Sequence, residues 1–332
     1  MSKNSLNSLL YLLLFNPKDG NQKGTIEVEE TTIDIIEEYQ LPDMNGATVK
    51  EANPDIALLS DGRAYMWYHW YGNFNITYTI QLDEKKSGLS RHGYLAYSNN
   101  KIYNIDNGDE MTEDVSNNIT ALDNTSYGPC YIFTTHGLYE MTKSEFFIKY
   151  KNVKTAFEGM FINPNTNQLC KIVFSELITS NSILPTSYYH VNLSYLCNVF
   201  CVKRGNLTEV ILLPYAFDSN VAKCETAFTY PFHVYNAESR PLDNTERTAN
   251  CVIYISTNKG LFLYYTMTRK LYHVSNIKGE VIYAGRTLNY MMGDKSDVTM
   301  KVIVTKDGHI YRFKAINTPE WIEKNGESFD NR

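Results

Sequence analysis

Ile56-Ala-Leu-Leu-Ser-Asp-Gly-Arg-Ala-Tyr-Met-Trp67 sets an apolar run, a Ser-Asp-Gly turn and a second β-prone run in order, which is the grammar of strand, tight turn and strand. The same grammar recurs along the chain. Gly93-Tyr-Leu-Ala-Tyr-Ser-Asn-Asn-Lys-Ile-Tyr-Asn-Ile105 turns at Asn99-Asn100, and Cys130-Tyr-Ile-Phe-Thr-Thr-His-Gly-Leu-Tyr-Glu-Met141 turns at His136-Gly137. Near the C-terminus, Cys251–Tyr264 and Val302–Phe313 repeat it around Lys259-Gly260 and Asp307-Gly308. Two looser copies lie between, in 159–174 and 196–212. The seven turns fall near 62, 99, 137, 165, 205, 260 and 308, in steps of 37, 38, 28, 40, 55 and 48 residues. A solenoid would keep a tighter period, whereas propeller blades of four short strands tolerate loops of unequal length. The expected fold is therefore all-β: a seven-bladed β-propeller, each hairpin the middle of one blade, with an N-terminal extension. Two β-sandwiches would also give hairpins at intervals, but no Pro/Gly/Ser-rich linker divides residues 56–313.

Composition agrees with this reading. Tyr alone numbers 26, and the candidate strands are loaded with Tyr, Ile, Val, Phe and Thr, which suit a pleated, half-buried surface. Glycine or asparagine at the turns supplies the positive φ that a tight hairpin requires. Hydrophobic residues make up 43% of the 332 and charged residues 20%, enough for a packed core and too little charge for a solvated, disordered chain. The formal charge of −6 argues against broad nucleic-acid binding, which runs on clustered cations. That charge is not spread evenly. Residues 1–55 hold four Lys against ten Asp and Glu, so the remaining chain is neutral.

The organisation expected is an acidic N-terminal arm over 1–50, a propeller over 51–318 and a C-terminal tail over 319–332. The arm opens with an apolar run, Leu9-Leu-Tyr-Leu-Leu-Leu-Phe15, too short to span a membrane and without the flanks of a recognisable signal peptide. It fits a short buried strand or helix, or a hook that inserts into a partner. A cytoplasmic or virion location follows. Residues 26–36 are a candidate strand closing the ring, with Thr32 the cap of an alternative short helix. Residues 142–150 read as a short helix or another strand, and Trp321 is expected to pack on the last blade. Six cysteines lie mostly in apolar runs and read as reduced core thiols.

Leu58-Leu-Ser-Asp-Gly-Arg-Ala-Tyr-Met-Trp67 and the 302–313 hairpin resemble repeats of the regulator of chromosome condensation family of seven-bladed propellers. In that family a small apolar run, an Asp-Gly turn and an aromatic strand ending in Trp-Gly form part of each blade; Tyr68 stands here in place of that glycine, and only two of seven units match. The resemblance implies the architecture and, as an alternative function, regulation of a small GTPase. The Asn- and Tyr-rich texture is also similar to that of propellers in virus and phage particles.

No phosphate-binding loop, dinucleotide fingerprint, nucleophile elbow or zinc-protease helix occurs, and the seven histidines stand singly. The reading therefore favours a non-catalytic scaffold within a larger protein assembly, with no cofactor, no metal site, no direct nucleic-acid contact and no membrane span. The strongest local oddity is Trp67-Tyr-His-Trp-Tyr71. In a strand, Trp67, His69 and Tyr71 share one face, and Tyr68 and Trp70 the other. These side chains could stack on a partner or a sugar, a carbohydrate-binding propeller being the third reading, or could fill the packing between blades. Trp67, His69, Trp70 and Tyr71, with Glu27, Glu29 and Glu30 of the acidic arm, are the candidate interaction residues.

Overall fold

In the computed structural model, the residues described are 25–70, 73–91, 93–111, 118–123, 130–140, 145–147, 150–173, 176–194, 196–214, 222–242, 251–286 and 301–325. Seven sheets follow one another along the chain. Blade I spans 49–81, blade II 87–104, blade III 119–147, blade IV 156–179, blade V 190–230, blade VI 234–274 and blade VII 281–316. Every one of the seven hairpins read from sequence joins the second and third strands of a blade. Blade II has three described strands where the others have four or five.

The turns show why those residues stand there. Gly62 sits at φ +88°, and a Cβ there would stand 2.2 Å from the Leu82 carbonyl oxygen. Only glycine fits such a position, since an L side chain is disfavoured at that φ and here would also strike backbone. Asn99, at φ +57°, fills the same need in blade II with the residue that best tolerates the left-handed region after glycine.

Among the described residues, seven apolar clusters hold the ring together, and each lies between two neighbouring blades. At one such boundary Val199, Cys201, Val210 and Leu212 of blade V pack with Ile253, Ile255 and Phe262 of blade VI. The boundary of blades VII and I is filled by Leu59, Tyr65, Trp67, Ile282, Val302, Val304 and Ile310. A strand that packs against a blade on each side must be apolar on both faces, which is why Cys251–Thr257 and Gly260–Tyr265 are buried along their whole lengths. Five of the six cysteines are buried in this way, and burial pushes the Cys130 and Cys251 thiols up to about 12.

The ring is closed by the N-terminal segment. Ile33–Gln40 is the outermost strand of blade VII, antiparallel to His309–Ile316, and Val28–Thr31 adds in parallel as a fifth strand outside blade VI. Further upstream, Thr25 bridges in parallel to Thr229 on the outermost strand of blade V. The closing strand read over 26–36 is thus two strands on two blades, running on to residue 40. The helix that Thr32 would cap does not form, because Ile33 and Ile316, and Glu38 and Tyr311, are ladder partners instead. Residues 145–147 are likewise a strand, the outermost of blade III. Trp321 lies on a seven-residue helix, α1 (Pro319–Asn325), and is buried in the cluster between blades VI and VII. Among the described residues no helix is long and apolar enough to cross a membrane. The Leu9–Phe15 run lies outside the described residues.

Candidate interaction surface

Trp67 belongs to the core. It is fully buried, and its indole Nε1 donates to the Pro54 carbonyl at 2.9 Å, so the polar tip is satisfied inside the protein. It has no face to offer a partner or a sugar. Beyond it the hairpin leaves the sheet. Strand Ile56–Leu59 pairs only as far as Met66, whereas Arg63–Trp70 and Asn73–Gln81 continue to pair with each other as far as Trp70 and Asn73. His69 and Trp70 therefore lie on the projecting part of this two-stranded ribbon, and Tyr71 follows outside the described residues. Tyr68 packs toward the boundary of blades I and II, on the opposite side from Trp67, as strand alternation requires.

The ribbon is anchored to the N-terminal belt. Phe74, opposite His69 in the ladder, stacks on Tyr39 of the closing strand with ring centroids 4.2 Å apart and planes 19° apart. The Arg312 guanidinium lies 5.9 Å from the same Phe74 ring and pairs with Glu37. On the same two strands as Tyr39 and Phe74, Ile35, Ile36 and Tyr78 are exposed, Ile36 to 52%. Two parts of the chain that sequence reading treated separately, the aromatic run and the acidic arm, thus meet at the boundary of blades VII and I.

Several of the acidic residues have found partners along the belt, one a lysine and two histidines. Glu29 pairs with Lys270 at 2.9 Å, Glu30 with His273 at 3.0 Å and Glu38 with His309 at 3.1 Å. Residues 25–40 contain six carboxylates and neither Lys nor Arg, so the segment is held against the basic residues of blades VI and VII. Exposed pairs of this kind contribute little each, and the ladder hydrogen bonds and buried Ile33 do more of the holding. Glu27 is exposed on this belt.

A second polar cluster lies among the inner strands and the turns that leave them, and it stitches blades together. Asn53 of blade I donates to the Ser90 and Gly93 carbonyls of blade II. Asp123 of blade III accepts from the Glu158 and Gly159 amides at 2.9 and 2.7 Å, and Glu238 of blade VI accepts from the Tyr283 hydroxyl of blade VII at 2.7 Å. Arg91 reaches from blade II to Asn192 and the Leu193 carbonyl of blade V, with its guanidinium 4.3 Å from the Phe157 ring of blade IV. Burial pushes the Asp55 and Asp123 carboxyls up to about 7 and drives His190 down to about 4. Sequence reading missed this cluster, since its members come one at a time from different blades.

No protein-family model matches the chain, and no curated protein matches its sequence. Solved structures do match in shape. The N-terminal domain of Nup159 superposes with a TM-score of 0.54 at 9% identity, covering 87% of this chain and 96% of that one. A chain from the S. cerevisiae structure of Dbp5 bound to Nup159 and Gle1 gives 0.51 at 9% identity, covering 87% and 98%. At such identity the likeness is one of fold, and this chain, with its seven blades, shares with them a propeller architecture.

Proposed function

We propose that this protein is a non-catalytic interaction scaffold that receives an extended segment of a partner protein at the boundary of blades VII and I. The observation that carries this reading is the closing strand Ile33–Gln40. It is the outer edge of its sheet, it exposes Ile35 and Ile36, and it lies beside the projecting aromatic ribbon to which Tyr39 and Phe74 join it. An uncovered edge supplies backbone donors and acceptors to an added strand, and alternate side chains then set specificity. The partner segment this fits is apolar at alternate positions and carries Lys or Arg, since the belt is acidic beyond the cations it has already engaged. His69 and Trp70, by their place on the ribbon, and Tyr71 and Glu27 are the residues assigned to such a partner, while Glu29 and Glu30 serve closure as well.

The Nup159 structure supports the reading by analogy, since that protein is described in a complex with Dbp5 and Gle1. Placement in a virus or phage particle rests on the texture of the sequence alone and carries no part of this proposal. The test is an arrayed peptide library probed with the full chain. Enrichment of basic, alternately apolar peptides, with binding lost at least tenfold in Ile36→Asp and weakened by salt, is the expected result. Peptide binding that survives Ile36→Asp and Tyr78→Ala together would remove the surface from the proposal.

A further inference from the structure

The N-terminal belt is pinned where it steps from blade VI to blade VII and is lightly held upstream of that point. At the step, the Ser275 amide donates to the Thr31 carbonyl and the Asn317 amide to the Thr32 carbonyl, each at 2.9 Å. The Asn276 side chain bonds both the amide and the carbonyl of Ile33, at 3.1 and 2.8 Å. Thr31 and Ile33 are buried there. Downstream, Ile33–Gln40 pairs antiparallel along an eight-residue strand. Upstream, Val28–Thr31 lies on blade VI over only four residues and in parallel, the weaker pairing per residue. Its Glu29 and Glu30 are exposed, and further upstream Thr25 makes an isolated bridge to blade V. Blade VI keeps four strands without Val28–Thr31. Local opening of so short an outer segment costs much less than unfolding the ring.

We propose that the outer edge of blade VI, Lys270–Val274, is a strand-addition site for a partner protein, and that Ile26–Thr31 is a strap that fills it in cis and lifts about the pin at Thr31 and Ile33. The way the strap sits defines what the edge accepts. Ile26 and Val28, two residues apart and so on one face, are half-buried against the apolar cluster between blades V and VI. Glu29 pairs with Lys270 at 2.9 Å and Glu30 with His273 at 3.0 Å. Backbone pairing with apolar contacts at alternate positions is how an extended segment is recognised at a sheet edge. The partner is therefore an extended acidic segment with apolar side chains at alternate positions, the chemistry of the strap itself. Charge complementarity carries the choice, since Lys270 and His273 now hold carboxylates and an acidic segment alone replaces both contacts. The segment assigned to the boundary of blades VII and I is basic, so the two surfaces take different partners, and either assignment can fail without the other.

A fluorescent peptide with the sequence of residues 25–32, titrated with the full chain, tests this. The native chain binds it weakly, because the strap competes and apparent affinity scales with the open fraction. Ile26→Asp and Val28→Asp combined loosen the strap and raise the affinity at least tenfold, while amides of 252–256 keep their native exchange rates and report an intact ring. Adding Lys270→Glu to that variant lowers the affinity about fivefold, and so does a peptide with Gln in place of its three glutamates. No gain on loosening the strap overturns the proposal, as does binding indifferent to both charge changes. Amide exchange in the unaltered chain is the second measurement and needs no variant. The slowest amide of 28–31 exchanges at least tenfold faster than the slowest of 35–40, and equal protection of the two segments overturns the strap. A dimer in sedimentation that exchanges straps between copies would assign the edge to a second copy and overturn the partner.

Discussion

Asp55 offers a quantitative check on burial at the start of the second strand of blade I. Its carboxyl is 2% exposed, its Oδ1 has no hydrogen-bond partner among the described residues, and its backbone carbonyl accepts from the Trp67 amide. Burial raises the carboxyl to about 7, against about 3.9 for an aspartate in an unfolded chain. The folded state therefore holds the proton more tightly than the unfolded state. The stabilisation from that proton is complete below the unfolded value and is lost as pH rises through 7. Between pH 5.5 and pH 8 the loss is about 1.5 pKa units at about 1.4 kcal/mol each, or about 2 kcal/mol. For a chain of this length unfolding as one unit, that is about 3 °C in Tm. Asp123, also raised to about 7, and His190, lowered to about 4, bend the profile as well, but they do so equally in both proteins. The comparison is therefore Asp55→Asn against the parent by calorimetry at both pH values. The variant's Tm relative to the parent should be about 3 °C more favourable at pH 8 than at pH 5.5, whatever constant offset the amide brings. Parallel pH profiles for the two proteins would refute the burial argument.

Gly62→Ala should cost at least about 2 kcal/mol in denaturant unfolding, because a Cβ at φ +88° meets the Leu82 carbonyl; a change under about 0.5 kcal/mol would mean that the turn relaxes freely. Trp67→Ala should cost about 3–5 kcal/mol, the range for a buried aromatic, and should leave peptide binding unchanged at temperatures where the ring stays folded. Arg312→Ala leaves Glu37 facing Phe74 and Tyr39 without its cation. It should lower stability by about 1–3 kcal/mol and speed proteolysis within 25–40, which limited digestion followed by mass spectrometry would read.

The architecture was legible because a hairpin is a local object. Its turn chemistry and its period of two are written within a dozen residues, so Ser60-Asp61-Gly62 and Lys306-Asp307-Gly308 announce their blades unaided. Closure by the N-terminal segment was legible in outline, from the alternation of Ile26 and Val28 with Glu27 and Glu29. Which blades it closes was not, because its ladder partners lie more than 200 residues away. The aromatic run shows the same limit. Alternation assigns Trp67 and Tyr68 to opposite faces, but only the tertiary structure makes one of them core, by setting Leu59, Tyr65 and Val302 around Trp67 and extending its hairpin past the end of the neighbouring strand. The inner polar staples had no local signal at all. Asn53, Arg91, Asp123 and Glu238 are ordinary in sequence, and they become a network only where a closed ring brings the ends of its inner strands together and removes them from water.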